Sequence, residues 1–133
     1  MSGRVHRHAI RVYYEDTDFS GVVYHASYLR FLERGRTETL RDAGLDHATL
    51  FAAEPPVALA VARLEIDFRR PALMDDLVEV ETRVAAVGGA SLSMDQRLLR
   101  GAEVLVEARV RVAAVSRGRA TRLPPGLAAR LAG

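Results

Sequence analysis

The hydrophobic period of this chain changes once, and that change limits what the chain can fold into. From Ser27 to Ala43, Tyr28, Phe31, Leu32, Thr39, Leu40 and Ala43 recur near the i, i+3, i+4 spacing of one helix face. Arg30, Glu33, Arg34, Arg36, Glu38 and Arg41 fill the other face. Ser27 suits an N-cap and Gly44 a C-terminal stop. After the Pro55-Pro56 break the period becomes two. The run Val57 to Ala62 leads into Leu64, Ile66 and Phe68, which alternate with Arg63, Glu65, Asp67 and Arg69. Val78 to Val84, Leu92 to Leu98 and Val104 to Val112 repeat that alternation. Gly88-Gly89 and Arg100-Gly101 read as hairpin turns between them. His8 to Tyr14 reads as a first strand, and Leu45 to Phe51 as a short helical turn.

Strands of this kind bury one face and wet the other, as antiparallel sheets do. One long helix is available to cover the apolar face. The simplest solution is an α+β domain over residues 1–133, a curved antiparallel sheet of about five strands wrapped around that helix. Gly35 inside the helix costs roughly 1 kcal/mol relative to alanine, which a close helix–sheet contact would explain. The remaining sheet edges predict association with a second copy, as homodimer or homotetramer.

Composition removes several function classes. The 49% apolar fraction suits a globular protein, and Val57 to Ala62 is far too short to span a bilayer. No signal-peptide pattern opens the chain, so a cytoplasmic location is expected. Cysteine is absent, which removes disulfides, thiolate metal sites and a cysteine nucleophile. His6, His8, His25 and His47 have no ligand-like spacing, so no metal is expected. Neither a helix-turn-helix pattern nor aromatic residues among basic ones point to nucleic acid. Arg4, Arg7 and Arg11 at one end and Arg117, Arg119, Arg122 and Arg130 at the other read as solvated termini or as contacts to an anionic partner.

The chemistry is expected between Tyr13 and Tyr28, where Glu15, Asp16 and Asp18 precede a Gly21 turn and the helix start. A helix N-terminus offers unpaired N–H groups that polarise a carbonyl, and a carboxylate beside it supplies base or nucleophile. In an extended backbone Asp16 and Asp18 share one face, with Glu15 opposite. Asp16 reads as a turn cap through an Asx-type bond and Asp18 as the functional carboxylate. His25 acts through its imidazole or through its backbone N–H alone. Tyr13, Tyr14, Tyr24 and Tyr28 read as wall or core residues, one of which could bond a carboxylate.

The segments Arg11-Val12-Tyr13-Tyr14-Glu15-Asp16-Thr17-Asp18, Gly21-Val22-Val23-Tyr24-His25, Tyr28 to Glu33 and Glu33 to Glu38 together resemble the hotdog-fold acyl-CoA thioesterases of the 4-hydroxybenzoyl-CoA thioesterase group. The likeness is strongest to the bacterial branch encoded beside the tol-pal envelope system. It implies the hotdog fold, dimers paired sheet edge to edge, and active sites at the dimer interface. It implies hydrolysis of a small or medium acyl-CoA with no cofactor, coenzyme A being part of the substrate. Asp18 is then the nucleophile or general base, the His25 N–H polarises the thioester carbonyl, and Tyr14 joins the site. An acyl carrier protein as acyl donor, or acyl-CoA binding without turnover, are the other functions this likeness permits. Phe19-Ser20 replaces the small pair common in the family, and Arg63, Arg70 or the basic tail would have to meet the phosphates of coenzyme A.

Overall fold

The computed structural model describes residues 5–18 and 20–132. Five long strands form one antiparallel sheet in the order β1-β3-β4-β5-β2. They are β1 (Val5–Arg11), β2 (Ala58–Phe68), β3 (Leu77–Val87), β4 (Ser91–Arg100) and β5 (Glu103–Ser116). A short β6 (Arg119–Ala120) pairs with β5. Helix α1 (His25–Asp42) lies on the inner face, and α2 (His47–Ala52) and α3 (Leu127–Ala132) are short. Among the described residues no helix is long and apolar enough to cross a membrane.

The expected strand at His8 to Tyr14 starts earlier, at Val5, and stops at Arg11. Val12 still bonds the β3 approach, donating to the Asp76 carbonyl at 2.8 Å, before the chain turns away. The helix also starts earlier than its pattern suggests. Ser27 is not its N-cap but a buried residue of its first turn, and Tyr24 holds the cap position without a side-chain bond. Gly44 does end it: the Gly44 N–H donates to the Arg41 carbonyl and the Leu45 N–H to the Leu40 carbonyl, with Gly44 at φ +77°. That paired arrangement is a Schellman stop, and the buried Leu40 and Leu45 complete it.

Gly35 meets the sheet where the helix lies closest to it. A Cβ there would overlap Val80 Cγ1 and stand 3.1 Å from Thr82 Oγ1. Beside this contact the fully buried Gln96 of β4 bridges helix and sheet. Its Nε2 donates to the Leu32 carbonyl at 2.9 Å and to Thr82 Oγ1 at 3.0 Å. With these partners a buried amide costs little, whereas an unpaired one would be expensive.

The outer face carries charges that alternate in sign from strand to strand. Arg7 sits opposite Glu81, Glu81 opposite Arg97, and Arg97 opposite Glu107. In the next row Arg83, Asp95, Arg109 and Glu65 do the same. Cross-strand pairs of opposite charge favour this register.

In β2 the register shifts between Val61 and Arg63, leaving Ala62 as an inserted residue. Leu59 and Val61 face the helix before this bulge, and Leu64, Ile66 and Phe68 face it afterwards, opposite the inward Val110, Ala108 and Val106 of β5. A bulge of this kind re-aims side chains beyond it. Here it turns Phe68 inward.

Candidate active site

The loop before α1 is built on Asp16. Its carboxylate accepts the Tyr13 N–H at 2.8 Å, and its carbonyl accepts the Tyr24 N–H at 2.9 Å. The first bond closes a 3₁₀ turn over Tyr14–Asp16, and the second places the residue that caps α1. Asp16 is therefore buried and structural, as expected, but it bonds backward instead of forming a forward Asx turn. The backbone is not extended here, so Asp16 and Asp18 do not share a face. Asp16 points inward and Asp18 into solvent.

Asp18 itself makes the Asx-type turn. Its Oδ1 accepts the Ser20 N–H at 2.8 Å and the Ser20 hydroxyl at 2.6 Å. These bonds, the hydroxyl first, hold the Asp18 carboxyl below its ordinary range, so it is ionised at neutral pH. The chain then reverses through Gly21 at φ +82°, with Asp18 donating its N–H to the Val22 carbonyl at 2.9 Å and Thr17 bridged to Val23. The hairpin is anchored by Val22 bridging to Leu73 and by the Val23 N–H donating to the Ala72 carbonyl. Phe19 lies outside the described residues.

His25 is the first residue of α1, so its backbone N–H has no acceptor within the helix. Its ring is exposed and packs on Phe68 at 4.7 Å between centroids, tilted 55°. Phe68 also meets the buried Tyr28 ring edge-on at 5.3 Å. The Tyr28 hydroxyl accepts the Ala72 N–H at 2.9 Å, and burial pushes its pKa up, so it remains a phenol.

Together these groups border a cleft of about 200 Å³ at the helix start, lined by Val22, Val23, His25, Tyr28, Phe68 and the Arg69-Arg70-Pro71 segment. The structure thus brings His25 into the cleft but not Asp18, which is not among the lining residues and is joined to them by its backbone N–H, donated to the carbonyl of the lining residue Val22. Tyr14, 71% exposed on the 3₁₀ turn, is not among the lining residues. Arg70 does border the cleft, paired with Glu103 at 3.3 Å, while Arg63 lies on the outer face of β2 and pairs with Glu65. Arg69 is paired with Glu107, and the backbone N–H groups of Arg69 and Arg70 both donate to the Leu105 carbonyl. Leu105 is itself an inserted residue between the β4–β5 pairs Leu98–Val106 and Leu99–Val104. Sequence reasoning did not single out Phe68 as a site residue. Its alternation with Asp67 and Arg69 marks it as inward, but only the sheet order reveals that it meets His25.

Among the described residues no three His, Asp or Glu side chains converge as a metal site requires. The cleft offers helix-end N–H groups and an aromatic wall, and the adjoining hairpin carries an ionised carboxylate, a set that suits attack on an activated carbonyl.

The comparisons point the same way. Residues 12–131 match the sequence model of the thioesterase-like superfamily. An acyl-CoA thioesterase, YbgC, of Haemophilus influenzae is 49% identical over 110 residues, 83% of this chain and 80% of that protein. The YbgC acyl-CoA thioester hydrolase of Escherichia coli is 41% identical over 86% of this chain and 85% of its own length. A probable thioesterase from Bartonella henselae superimposes with a TM-score of 0.88 at 44% identity, covering 91% of this chain and all of that one. With its sheet wrapped around one long helix and its matched residues spanning nearly every element, this chain belongs to the thioesterase-like, hotdog-fold superfamily.

Proposed function

We propose that this protein hydrolyses acyl-CoA thioesters to a carboxylic acid and free coenzyme A, with no cofactor, in the cytoplasm. The observation that carries the reading is the ionised, exposed Asp18 on the hairpin that feeds directly into the N-terminus of α1. The names of the similar proteins support the substrate class. In this reading Asp18 attacks the thioester carbonyl or takes a proton from the attacking water. The His25 N–H and the helix end stabilise the oxyanion that forms, and collapse of that intermediate expels the coenzyme A thiolate. Attack by Asp18 gives an anhydride that water then opens, and base catalysis gives the acid directly. Tyr14 would serve only if substrate or a second subunit drew it toward the cleft.

We further propose a homodimer formed along β2, the end strand of the sheet, whose free edge lies beside the exposed Val61 and Phe68. The catalytic cleft ends at that strand, so a partner would complete its wall.

The test is Asp18→Asn assayed on a panel of acyl-CoAs. Loss of the base or nucleophile should lower kcat by about 10²–10⁴-fold. Wild-type rates in the variant would remove Asp18 from the mechanism, and an inactive wild-type protein across the panel would remove the activity itself. Rates on matched acyl-CoA and acyl-carrier-protein substrates separate the two acyl donors.

A further inference from the structure

The loop between β2 and β3 does more than wall the cleft. Its Leu73 bridges to Val22, its Ala72 carbonyl accepts the Val23 N–H, and its Met74 N–H donates to the Gly21 carbonyl at 3.0 Å. Residues 72–74 thus lie along the return limb of the Asp18 hairpin as a short third strand would. Whatever fixes this loop also fixes the hairpin.

The loop is not free to take this shape by itself. From Leu73 to Asp76 the chain closes a turn, the Asp76 N–H donating to the Leu73 carbonyl at 3.0 Å and Asp75 standing at φ +70°. That third turn position favours glycine, so an aspartate there is held by its surroundings. On one side the Asp75 N–H donates to the Val12 carbonyl, and Arg11 Nη1 donates to the Asp75 carbonyl at 2.8 Å. On the other side the holding group is the Asp76 carboxylate. Its Oδ2 accepts the Leu73 N–H at 2.8 Å and Arg100 Nη1 at 2.6 Å.

Arg100, the last residue of β4, grips the loop at both ends. Its Nη1 also reaches the Pro71 carbonyl at 3.4 Å. Its Nη2 donates to Glu103 at 2.7 Å, and Glu103 in turn pairs with Arg70 at the cleft. The Arg100 and Asp76 side chains are only 31% and 20% exposed, so solvent and salt screen this pair less than those on the outer face. Neither residue lines the cleft.

We infer that Arg100 and Asp76 are a positioning pair for the candidate active site: through the Leu73–Asp76 turn they hold the Asp18 hairpin in register with the start of α1. The effect on turnover rests on the thioesterase reading, whereas the coupling of turn to hairpin stands without it.

The full-length wild type, Arg100→Met and Asp76→Asn are compared by amide hydrogen exchange and on the acyl-CoA panel. In both variants the Val23 and Met74 amides should exchange about tenfold faster, the effect of one hydrogen bond to a charged group on a local opening, while amides in the middle of β5 keep their rates. Both should lower kcat by about tenfold or more and leave KM within about twofold, because misplacement acts on the reacting geometry. The double variant should lose no more than either single, since the two changes remove one link. Asp76→Asn keeps an acceptor for the Leu73 N–H and removes only the charge, so it carries both readouts if Arg100→Met does not fold. Arg97→Met, which breaks a β4 ion pair on the outer face, should change neither.

Unchanged exchange at Val23 and Met74 overturns the positioning role. So does an equal kcat loss in Arg97→Met, which would mark a general effect of stability. An unchanged kcat beside an active wild type also overturns it and leaves the thioesterase reading intact. A wild type inactive on every acyl-CoA removes that reading instead, and exchange alone then decides the coupling.

Discussion

Replacing Gly35 by alanine sets two effects of known size against each other. Helix propensity alone favours the change by about 1 kcal/mol. The new methyl, however, enters space held by Val80, which is fully buried and carries a stiff β-branched side chain on a strand paired on both sides. Thr82 Oγ1, already bonded to Gln96, closes the other side. Neither neighbour is the loose end of a long side chain, so the cost belongs in the upper part of the 1–3 kcal/mol range for overpacking, about 2–3 kcal/mol. The net expectation is a loss of about 1–2 kcal/mol. At this chain length each kcal/mol moves Tm by roughly 3–5 °C, read at fixed protein concentration because an associating protein melts in a concentration-dependent way. Urea denaturation of the wild type, Gly35→Ala, Val80→Ala and the double variant gives the coupling. The pair should be less destabilised than the sum of the singles by about 1 kcal/mol or more. If Gly35→Ala raised stability by the full propensity gain, or if the two changes were additive, close contact would not be why a glycine sits there.

Ser20→Ala removes the shorter of the two bonds to Asp18 and leaves the backbone bond. Both bonds favour the ionised carboxylate, so losing one raises its pKa, and the acid limb of kcat/KM should move to higher pH while the plateau holds. An unmoved acid limb would mean that Asp18 is not the group titrating there. Phe68→Ala takes away the wall against which His25 and Tyr28 pack. It should lower kcat/KM by about tenfold, in line with an aromatic pair of about 0.5–1.5 kcal/mol plus lost apolar contact. The acyl-CoA panel measures this, and an unchanged value would confine Phe68 to the scaffold.

Much of the fold was legible because α1 and the strands each bury one face, and periodicity records that directly. The helix stop at Gly44 was legible because a left-handed residue is needed there and glycine supplies it. The helix start was not. Ser27 has the chemistry of a cap, but the cap falls at Tyr24, held by a carbonyl of Asp16 eight residues earlier. The first strand was placed too late because Val12, Tyr13 and Tyr14 have strand-like side chains, and only the Asp16–Tyr13 bond shows that the chain is turning. Asp18 could be chosen from its place before the helix, yet its bond to Ser20 and its exposure are properties of the folded hairpin. Phe68 was the harder case, since 43 residues separate it in sequence from the His25 ring on which it packs. Helix α3 was not anticipated, although its buried Leu127 and Leu131 stand one helical turn apart.

The inserted residue Ala62 makes β2 two half-strands read in different frames. Odd positions face the helix before it and even positions after it. Deleting that one residue would make Val61 and Arg63 consecutive and restore unbroken alternation, with Val61 still opposite Val112 and Arg63 still opposite Arg111. Leu64, Ile66 and Phe68 would stay turned toward the helix, and only the local bend and twist that the bulge gives β2 would be lost. A relative with a one-residue gap at this point would therefore keep the same side chains on its cleft wall, but carry them on an edge strand that bends less along its length.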